Sequence, residues 1–441
     1  MTRPANCLSS IFRMALGAIV ALGLAKVGQA REASQESTAS LTASVSPLAT
    51  QGPQPQPITP PTPEQLRDSI RRGVDFLLET QRKDGAWGSA ESKRVWEIYG
   101  PLNGTHLAFR QAVTALVLKA LIESRDQFTN EQGEAIDSAI DRGEQWLLAN
   151  GKRLRRMAPD AQGQSGSDGT FTLYNVWGHA YAIHAIVLLH QRAEGNTALQ
   201  EQLLSTLQYQ VDRLSRDSFL NGGWGYYDMG ARTQRPTGSP ICFTTATVLI
   251  ALKEAESLGI DFPEKITKKA LDSILRQRFP DFAYAYGEYL RMRPRQNINR
   301  PSGSLGRSQV CNLAMRLYGD ERVTDEVLKT WLNRLFARNG WLSMSRKRFM
   351  MYQSPHATFV GAAGYFYYYG HFYAAMCVEL LPEAERPHFQ DHLAQILIPL
   401  QEKDGSWWDF PLYNYHRQYG TAMALSALVR CQHAAVSDDD Q

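Results

Sequence analysis

The sequence predicts an all-α protein, an (α/α)6 toroid in which six helical hairpins place an inner ring of helices inside an outer ring. Apolar helices rich in small residues recur roughly every 55–70 residues, a spacing that indicates an internally repeated helical fold. An amphipathic helix precedes each apolar one, and an apolar helix must be covered on most sides. A closed double ring meets that need, and an open superhelix of helix pairs is the alternative.

Residues 1–30 are predicted to be a secretory signal. Arg3 and Arg13 supply positive charge, residues 14–27 are apolar apart from one lysine, and Ala30 precedes the expected cleavage site. The apolar run is too short for an ordinary membrane span. We therefore expect export to the periplasm or the extracellular space, with no integral membrane span in the mature chain. An uncleaved membrane anchor is the alternative.

The segments that flank the predicted domain differ from it in composition. Residues 31–63 are rich in Ser, Thr, Pro and Gln and contain few large apolar side chains, which predicts a disordered linker. Residues 434–441 include consecutive aspartates and are predicted to form an acidic tail. The toroid domain is therefore expected to occupy residues 64–433.

The first hairpin shows both kinds of helix. Residues 66–80 place Ile70, Val74 and Leu77 at a helical spacing that gives one apolar face. Residues 111–122 read QAVTALVLKALI and are apolar on nearly every side. The later apolar helices begin near Asn175, Cys242, Leu305, Ala362 and Tyr419.

The cysteines after the signal fall in separate apolar helices, which favours buried free thiols over disulfides. They are Cys242, Cys311, Cys377 and Cys431.

The loops that join each amphipathic helix to its apolar partner carry a second repeat. Residues 81–87 read QRKDGAW and residues 401–407 read QEKDGSW, with weaker copies at Ser167, Asn221 and Arg338. Asp-Gly makes a turn after the helix because glycine accepts a positive φ. The Trp is then expected to pack back on that helix.

The repeated Q-x-x-D-G-x-W pattern resembles the repeat of squalene and other triterpene cyclases, whose α/α-toroid architecture the protein prenyltransferase β-subunits share. Residues 222–228, GGWGYYD, with CFTTATVLIAL from Cys242, also resemble a cyclase repeat and its inner helix. The resemblance covers residues 64–433. It implies the toroid and an isoprenoid-type ligand, whereas chemistry depends on residues outside the repeat.

The catalytic motifs of these families are missing from the sequence of the expected domain. A hopene-type cyclase protonates an alkene with an aspartate of a D-x-D-D motif, but the acidic cluster of this chain, 438–440, lies in the tail. A prenyltransferase zinc site has an aspartate two residues before a cysteine, and neither Cys242 nor Cys311 has one. We therefore predict no cyclisation of the D-x-D-D type, no metal site and no cofactor.

The loops that lead into the inner helices share one rim of such a ring, and here they hold more basic than acidic residues. Arginine binds diphosphate, sulfate or carboxylate groups with paired donors, and the N-termini of the inner helices point to the same rim. We expect an anion-binding rim above an aromatic cavity, with solvated surface charge as the alternative. The ligand-binding candidates are Arg291, Arg293, Arg295, Arg346, Lys347, Arg348, Tyr181, Tyr227 and Tyr368.

Candidates for catalysis are few. Asp228 ends the aromatic run in residues 222–228, and Asp168 lies in the weak copy of the loop motif in the second repeat. Capping a turn is the alternative role for each aspartate. His179 and His371 lie on apolar helices, where a histidine is more often a core residue than a functional group. Whether the protein is an enzyme stays open.

Three functions fit these observations, and a net charge of +3 argues against a nucleic-acid partner. The first is binding of an isoprenoid-like or other amphiphilic ligand with an anionic head. The second is lyase-like degradation of an acidic polysaccharide, in which Tyr181 with His179, or Tyr368 with His371, moves the proton. The third is a non-catalytic envelope scaffold that binds an unknown protein partner by its rim.

Overall fold

The computed structural model describes residues 45–88, 103–154, 171–173, 176–225, 227–229, 239–347, 367–410 and 416–433. The predicted signal and acidic tail lie outside these residues. Within the described ranges, none of the helices combines the length and the apolar composition that crossing a bilayer requires. In chain order, the helices are α1 Pro63–Glu79, α2 Asn103–Ser124, α3 Asn130–Asn150, α4 Val176–Arg192, α5 Thr197–Asp217, α6 Cys242–Ala255, α7 Glu264–Gln277, α8 Pro301–Leu317, α9 Asp325–Ala337, α10 Asn339–Ser345, α11 Tyr367–Glu379, α12 Arg386–Leu397 and α13 His416–Val429.

The two kinds of predicted helix occupy two layers. Helices α1, α3, α5, α7, α9 and α12 are the outer layer, and α2, α4, α6, α8, α11 and α13 are the inner layer. Helix α4 is buried continuously from Gly178 to Leu189 because it is apolar on every side. Helix α1 buries a single face and begins at a capping box formed by Thr62 and Gln65.

The inner helices form a closed ring. Each packs against the next in the order α2, α4, α6, α8, α11 and α13, and α13 packs against α2. Helices α8 and α11 approach so closely that a Cβ on Gly370 would lie 2.6 Å from the Gly306 Cα. At the seam, Arg430 donates to Glu123 of α2 at 2.7 Å. The all-α toroid is therefore confirmed, and the open superhelix is excluded.

The Q-x-x-D-G-x-W loop ties neighbouring outer helices together. In the first copy, Trp87 Nε1 donates to the carbonyl oxygen of Leu77 in α1 at 2.7 Å, as expected from the sequence. Gln81 Nε2 donates to the carbonyl oxygen of Ala139 in the next outer helix, α3, at 2.8 Å. Gly85 has a φ of +90°, and a Cβ there would lie 2.3 Å from a backbone oxygen of α3. Glycine alone allows this approach.

The same contacts recur in later repeats. Trp224 and Trp407 each donate to a carbonyl oxygen ten residues earlier, at 2.8 Å. Gln401 donates to the carbonyl oxygen of Ser69 in α1, so the last loop also binds the first outer helix. The weak copy at Arg338 differs: its tryptophan, Trp341, lies in the short helix α10 and is exposed. The copy at Ser167 lies outside the described residues.

A short antiparallel pair of strands joins two rim loops. Strand β1, Phe171–Leu173, pairs with β2, Tyr227–Met229, and places Thr172 opposite Asp228. The helical periodicity of the sequence gives no sign of this pair, because each strand has only three residues.

The end of the predicted linker contacts the domain. Ser46 caps a short turn in which Ala49 is buried. Arg334 of α9 donates to the carbonyl oxygens of Leu48 and Gln51, each at 2.6 Å. Residues 46–51 therefore depart from the disordered linker expected from composition, since backbone carbonyls rather than large apolar side chains hold them. Residues 31–44 lie outside the described chain.

Candidate functional site

Aromatic side chains of the inner helices meet on the ring axis near the N-terminal ends of those helices. We call this set the aromatic layer, and its members are Trp177, Tyr181, Phe243, Tyr369 and Tyr373. Trp177 stacks on Phe243 with ring centroids 6.0 Å apart and meets Tyr369 edge-on at 6.2 Å. Because α4 and α11 occupy opposite positions in the ring, these contacts cross its axis.

Hydroxyl groups connect the same helices. Thr247 of α6 shares a hydrogen bond with the Tyr369 hydroxyl at 2.8 Å, and the Tyr373 hydroxyl donates to Thr247 at 3.2 Å. Burial raises the pKa of Tyr181 and of Tyr369 well above the usual range, so both remain neutral hydroxyls. The described side chains close the axis at this level, and a ligand on the axis has to lie on the rim side of the layer.

A buried charge network lies toward the C-terminal ends of the inner helices. Lys119 and Arg430 bind Glu123 at 2.8 and 2.7 Å, and His184 binds Glu254 at 2.5 Å. Burial alone would raise the pKa of Glu123, but the two cations hold it well below its usual range. Each carboxylate of the network has a basic partner on another side chain, and two of the pairs connect neighbouring inner helices. We therefore interpret the network as one that stabilises the ring.

Asp409 is a buried carboxyl group that the sequence analysis overlooked. It lies two residues after Trp407, and its Oδ1 accepts from the Tyr419 hydroxyl at 2.5 Å and from the Phe410 amide at 2.7 Å. Its Oδ2 accepts from the amide of Tyr368, in the first turn of α11, at 3.3 Å. Burial raises its pKa to about 6. The signal in the sequence was a lone aspartate among aromatic residues directly after the repeat motif.

Two predicted cations lie next to Asp409. Arg346 donates to the Tyr368 hydroxyl at 3.3 Å, and its guanidinium lies 5.1 Å from the centre of the Tyr367 ring. The Lys347 backbone amide donates to the Asp409 carbonyl oxygen, and its ammonium group forms an ion pair with Glu402. The structure therefore brings Arg346, Lys347 and Tyr368 together at the N-terminal end of α11.

The two candidate histidines are both core residues. His371 Nε2 accepts from Asn339 at 2.8 Å, which leaves the Nδ1 hydrogen to donate to the Tyr367 carbonyl oxygen at 2.7 Å. His179 Nδ1 pairs with Gln210 of the outer helix α5 at 2.6 Å, on the side away from Tyr181. Burial lowers the pKa of each histidine to about 4, so both are neutral at pH 7. The pairing of Tyr181 with His179 is not formed.

The remaining candidates are dispersed. Arg291, Arg293 and Arg295 are exposed on the loop before α8, where Arg291 lies 3.5 Å from Glu288. Tyr227 and Asp228 lie in β2, and Asp168 and Arg348 fall outside the described residues. Among the described residues, no cluster of three or more His, Cys, Asp or Glu side chains could hold a metal ion.

The cysteines of the described residues are free thiols. Cys242, Cys311, Cys377 and Cys431 are all buried. Burial raises the pKa of Cys311 well above its usual range, and contact with Cys242 raises it further. A protonated thiol is a poor nucleophile, so these groups act as small apolar residues here.

Several solved structures resemble the chain, whereas no family model matches it. One is an apo type II terpene cyclase, MstE from Scytonema, at 13% identity over 84% of this chain and 98% of that chain, with a TM-score of 0.45. Another is described as a novel alpha-amylase from Clostridium perfringens, at 13% identity over 84% and 99% of the two chains, with a TM-score of 0.49. These likenesses are distant, and the fold assignment rests on the ring-closing contacts.

Proposed function

We propose that this chain is an exported toroid that binds an amphiphilic, isoprenoid-like ligand with an anionic head group at the mouth of its ring. The aromatic layer is the observation that carries the proposal. Its member Trp177 is only half-buried, so part of this aromatic side chain is accessible to an apolar chain. Because the axis is filled beyond this layer, the ligand lies across the layer rather than in a deep tunnel.

The cations at α11 supply the polar half of the proposed site. Arg346 binds Tyr368, the neighbour of Tyr369 in the aromatic layer, so its guanidinium is within reach of a head group resting above the layer. A guanidinium binds phosphate or carboxylate through paired donors. Asp409 is fully buried behind Tyr368, so it supports the site by holding Tyr368 and Tyr419 in place and does not touch the ligand.

Binding is tested by measuring the melting temperature with geranylgeranyl diphosphate and, separately, with an oligogalacturonate. We expect the diphosphate to raise the melting temperature in a concentration-dependent way, because a ligand that binds only the folded chain stabilises it. Arg346→Ala should weaken this binding about tenfold. Arg67→Ala on the exposed face of α1 is the matched control and should leave binding unchanged. An unchanged melting temperature, or equal binding by both variants, would contradict the proposal.

The filled axis also favours a second candidate, the non-catalytic envelope scaffold. A ring closed by its own side chains can present its rim loops to a protein without holding any small ligand. The absence of stabilisation by both test ligands would support this role. The lyase-like alternative loses support, since His179 and His371 are neutral, buried and bonded to core groups.

A further inference from the structure

Large apolar side chains are exposed on one part of the rim. The described residues expose six of them, and we call this set the rim patch: Leu48, Leu220, Tyr289, Met292, Trp341 and Met344. Met292 is 84% exposed and Trp341 is 56% exposed. Single exposed apolar residues are ordinary, whereas a cluster of them marks an interaction site.

Arg334 of α9 holds together the segments that carry Leu48, Trp341 and Met344. Its guanidinium donates to the carbonyl oxygen of Leu48 at 2.6 Å and to that of Asp281, in the loop before α8, at 3.1 Å. Helix α9 leads directly into α10, which carries Trp341 and Met344. The chain near Leu48, the loop before α8 and the start of α10 are therefore neighbours.

Glu288 connects the segments that carry Leu220, Tyr289 and Met292. Asn221, which follows Leu220, donates to the Glu288 carboxylate at 3.4 Å. Tyr289 is the next residue after Glu288, and Met292 lies three residues further on in the same loop. The loop before α6 therefore meets the loop before α8, and the segments that carry the six exposed apolar side chains follow one another along the rim.

Positive charge lies in the loop that carries Met292. Arg291, Arg293 and Arg295 are exposed beside Met292 in this loop. Arg291 lies 3.5 Å from Glu288, whereas no ion pair within the described chain engages the side chains of Arg293 and Arg295. Exposed Trp, Tyr and Met among cations match the membrane interface, where rings enter the head-group region and Arg meets lipid phosphate.

We propose that the rim patch docks this protein on the surface of an anionic lipid bilayer. The charge complementarity of the arginines with anionic head groups selects this occupant, and the apolar side chains insert between the lipids. The inference does not rest on the proposed cavity ligand, because neither Arg346 nor the aromatic layer takes part in it.

Docking is tested with an environment-sensitive NBD label at position 292 of the full chain. Met292→Cys is made in a Cys7→Ser background, because the cysteines of the described helices are buried and resist labelling. We expect a blue shift and a fluorescence increase with phosphatidylglycerol vesicles, little change with phosphatidylcholine vesicles, and reversal by high salt. The matched control is the label at Lys268→Cys on the outer helix α7, which should not respond.

The charge contribution is measured as the vesicle partition coefficient of the label at position 292. Arg293→Ala and Arg295→Ala should each lower it roughly fivefold, whereas Lys265→Ala in the same background should leave it unchanged. Equal responses at positions 292 and 268, or none at 292, would overturn the proposal. A vesicle-independent response that grows with protein concentration would overturn it too, since a second copy would then cover the patch.

Discussion

The hydroxyl of Tyr419 donates to Asp409 Oδ1 at 2.5 Å and joins the inner helix α13 to the loop beside α11. The other donors to this carboxyl group are two backbone amides, those of Phe410 and Tyr368. Uncharged donors stabilise a buried carboxylate less than a direct ion pair does. Burial therefore prevails over these bonds and raises the pKa of Asp409 to about 6.

Asp409→Asn should remove a pH dependence of stability. The folded pKa of Asp409, about 6, lies above its unfolded value. The folded chain binds this proton more tightly than the unfolded chain does. The stabilisation that the protonated Asp409 provides is therefore fully present below about pH 4 and is lost as the pH rises through 6. The wild type should lose about 2–3 kcal/mol between pH 4 and pH 7 through this group. Urea unfolding of both proteins across this range measures the difference, since an amide does not titrate.

Asp409→Ala separates the charge from the hydrogen bonds. Alanine leaves the Tyr419 hydroxyl and the Tyr368 amide without their acceptor, so the free energy of unfolding should fall by about 1–3 kcal/mol at pH 5. An alanine variant as stable as Asp409→Asn at that pH would show that the carboxyl group does not position α11.

The sequence predicted contacts that are local and repeated. The indole bond of Trp87 spans ten residues, so the spacing of the motif determines it. The same motif did not reveal that Trp341 would be exposed, because α10 continues directly from α9 and turns its tryptophan outward. Asp409 was overlooked for a related reason: its aromatic neighbours in the sequence were visible, but the helices that bury it and bind its carboxyl group are distant in the chain.

Two tryptophans test how much the motif stabilises the ring. Trp407→Ala removes a buried ring and the bond to the Leu397 carbonyl oxygen, and should lower the free energy of unfolding by about 3–5 kcal/mol. Trp341→Ala is the matched control from the imperfect copy and should change it by less than about 0.5 kcal/mol. Calorimetry or urea unfolding measures both, and similar losses would show that the motif has no special role.

Glycine substitutions test the close approach of loop and outer helix. Gly405 has a φ of +83°, and a Cβ there would lie 2.2 Å from the Arg72 carbonyl oxygen. Gly405→Ala should therefore cost about 2–4 kcal/mol of stability. Nothing lies within 4 Å of a Cβ added to Gly340 in α10, so Gly340→Ala should be neutral. A lower melting temperature for Gly340→Ala than for Gly405→Ala would contradict the close contact between the loop after α12 and helix α1.

Charge pairing was the part of the site least accessible from sequence. Counting rim residues indicated an excess of cations, but Lys347 is paired with Glu402, which lies 55 residues further along the chain. Arg293 and Arg295 remain available to outside partners, and Arg346 faces a tyrosine. A count of charged residues in the rim loops does not distinguish paired from unpaired cations, because pairing depends on which loops the ring brings together.

The seam between α13 and α2 should depend on a buried ion pair. Arg430 donates twice to Glu123, at 2.7 and 3.0 Å. In Arg430→Met, that carboxylate keeps the Ser426 hydroxyl as a donor but only Lys119 as a cation. Leaving a buried charge underpaired should lower the free energy of unfolding by about 3–5 kcal/mol at pH 7. Arg67→Met, which breaks an exposed pair with Glu64, is the control and should leave the free energy of unfolding almost unchanged.

The same pair predicts an acid dependence with the opposite sign to that of Asp409. Arg430 and Lys119 lower the pKa of Glu123 although Glu123 is buried. The stability that the ionised Glu123 gives the folded chain is therefore present above the unfolded pKa of a glutamate, about 4.3, and is lost as the pH falls. The gap in stability between the wild type and Arg430→Met should narrow below about pH 4 because the unfolded chain then takes up the proton. Urea unfolding at pH 7, 5 and 3 measures the gap, and a constant gap would mean that the loss comes from packing of the arginine stem rather than from charge.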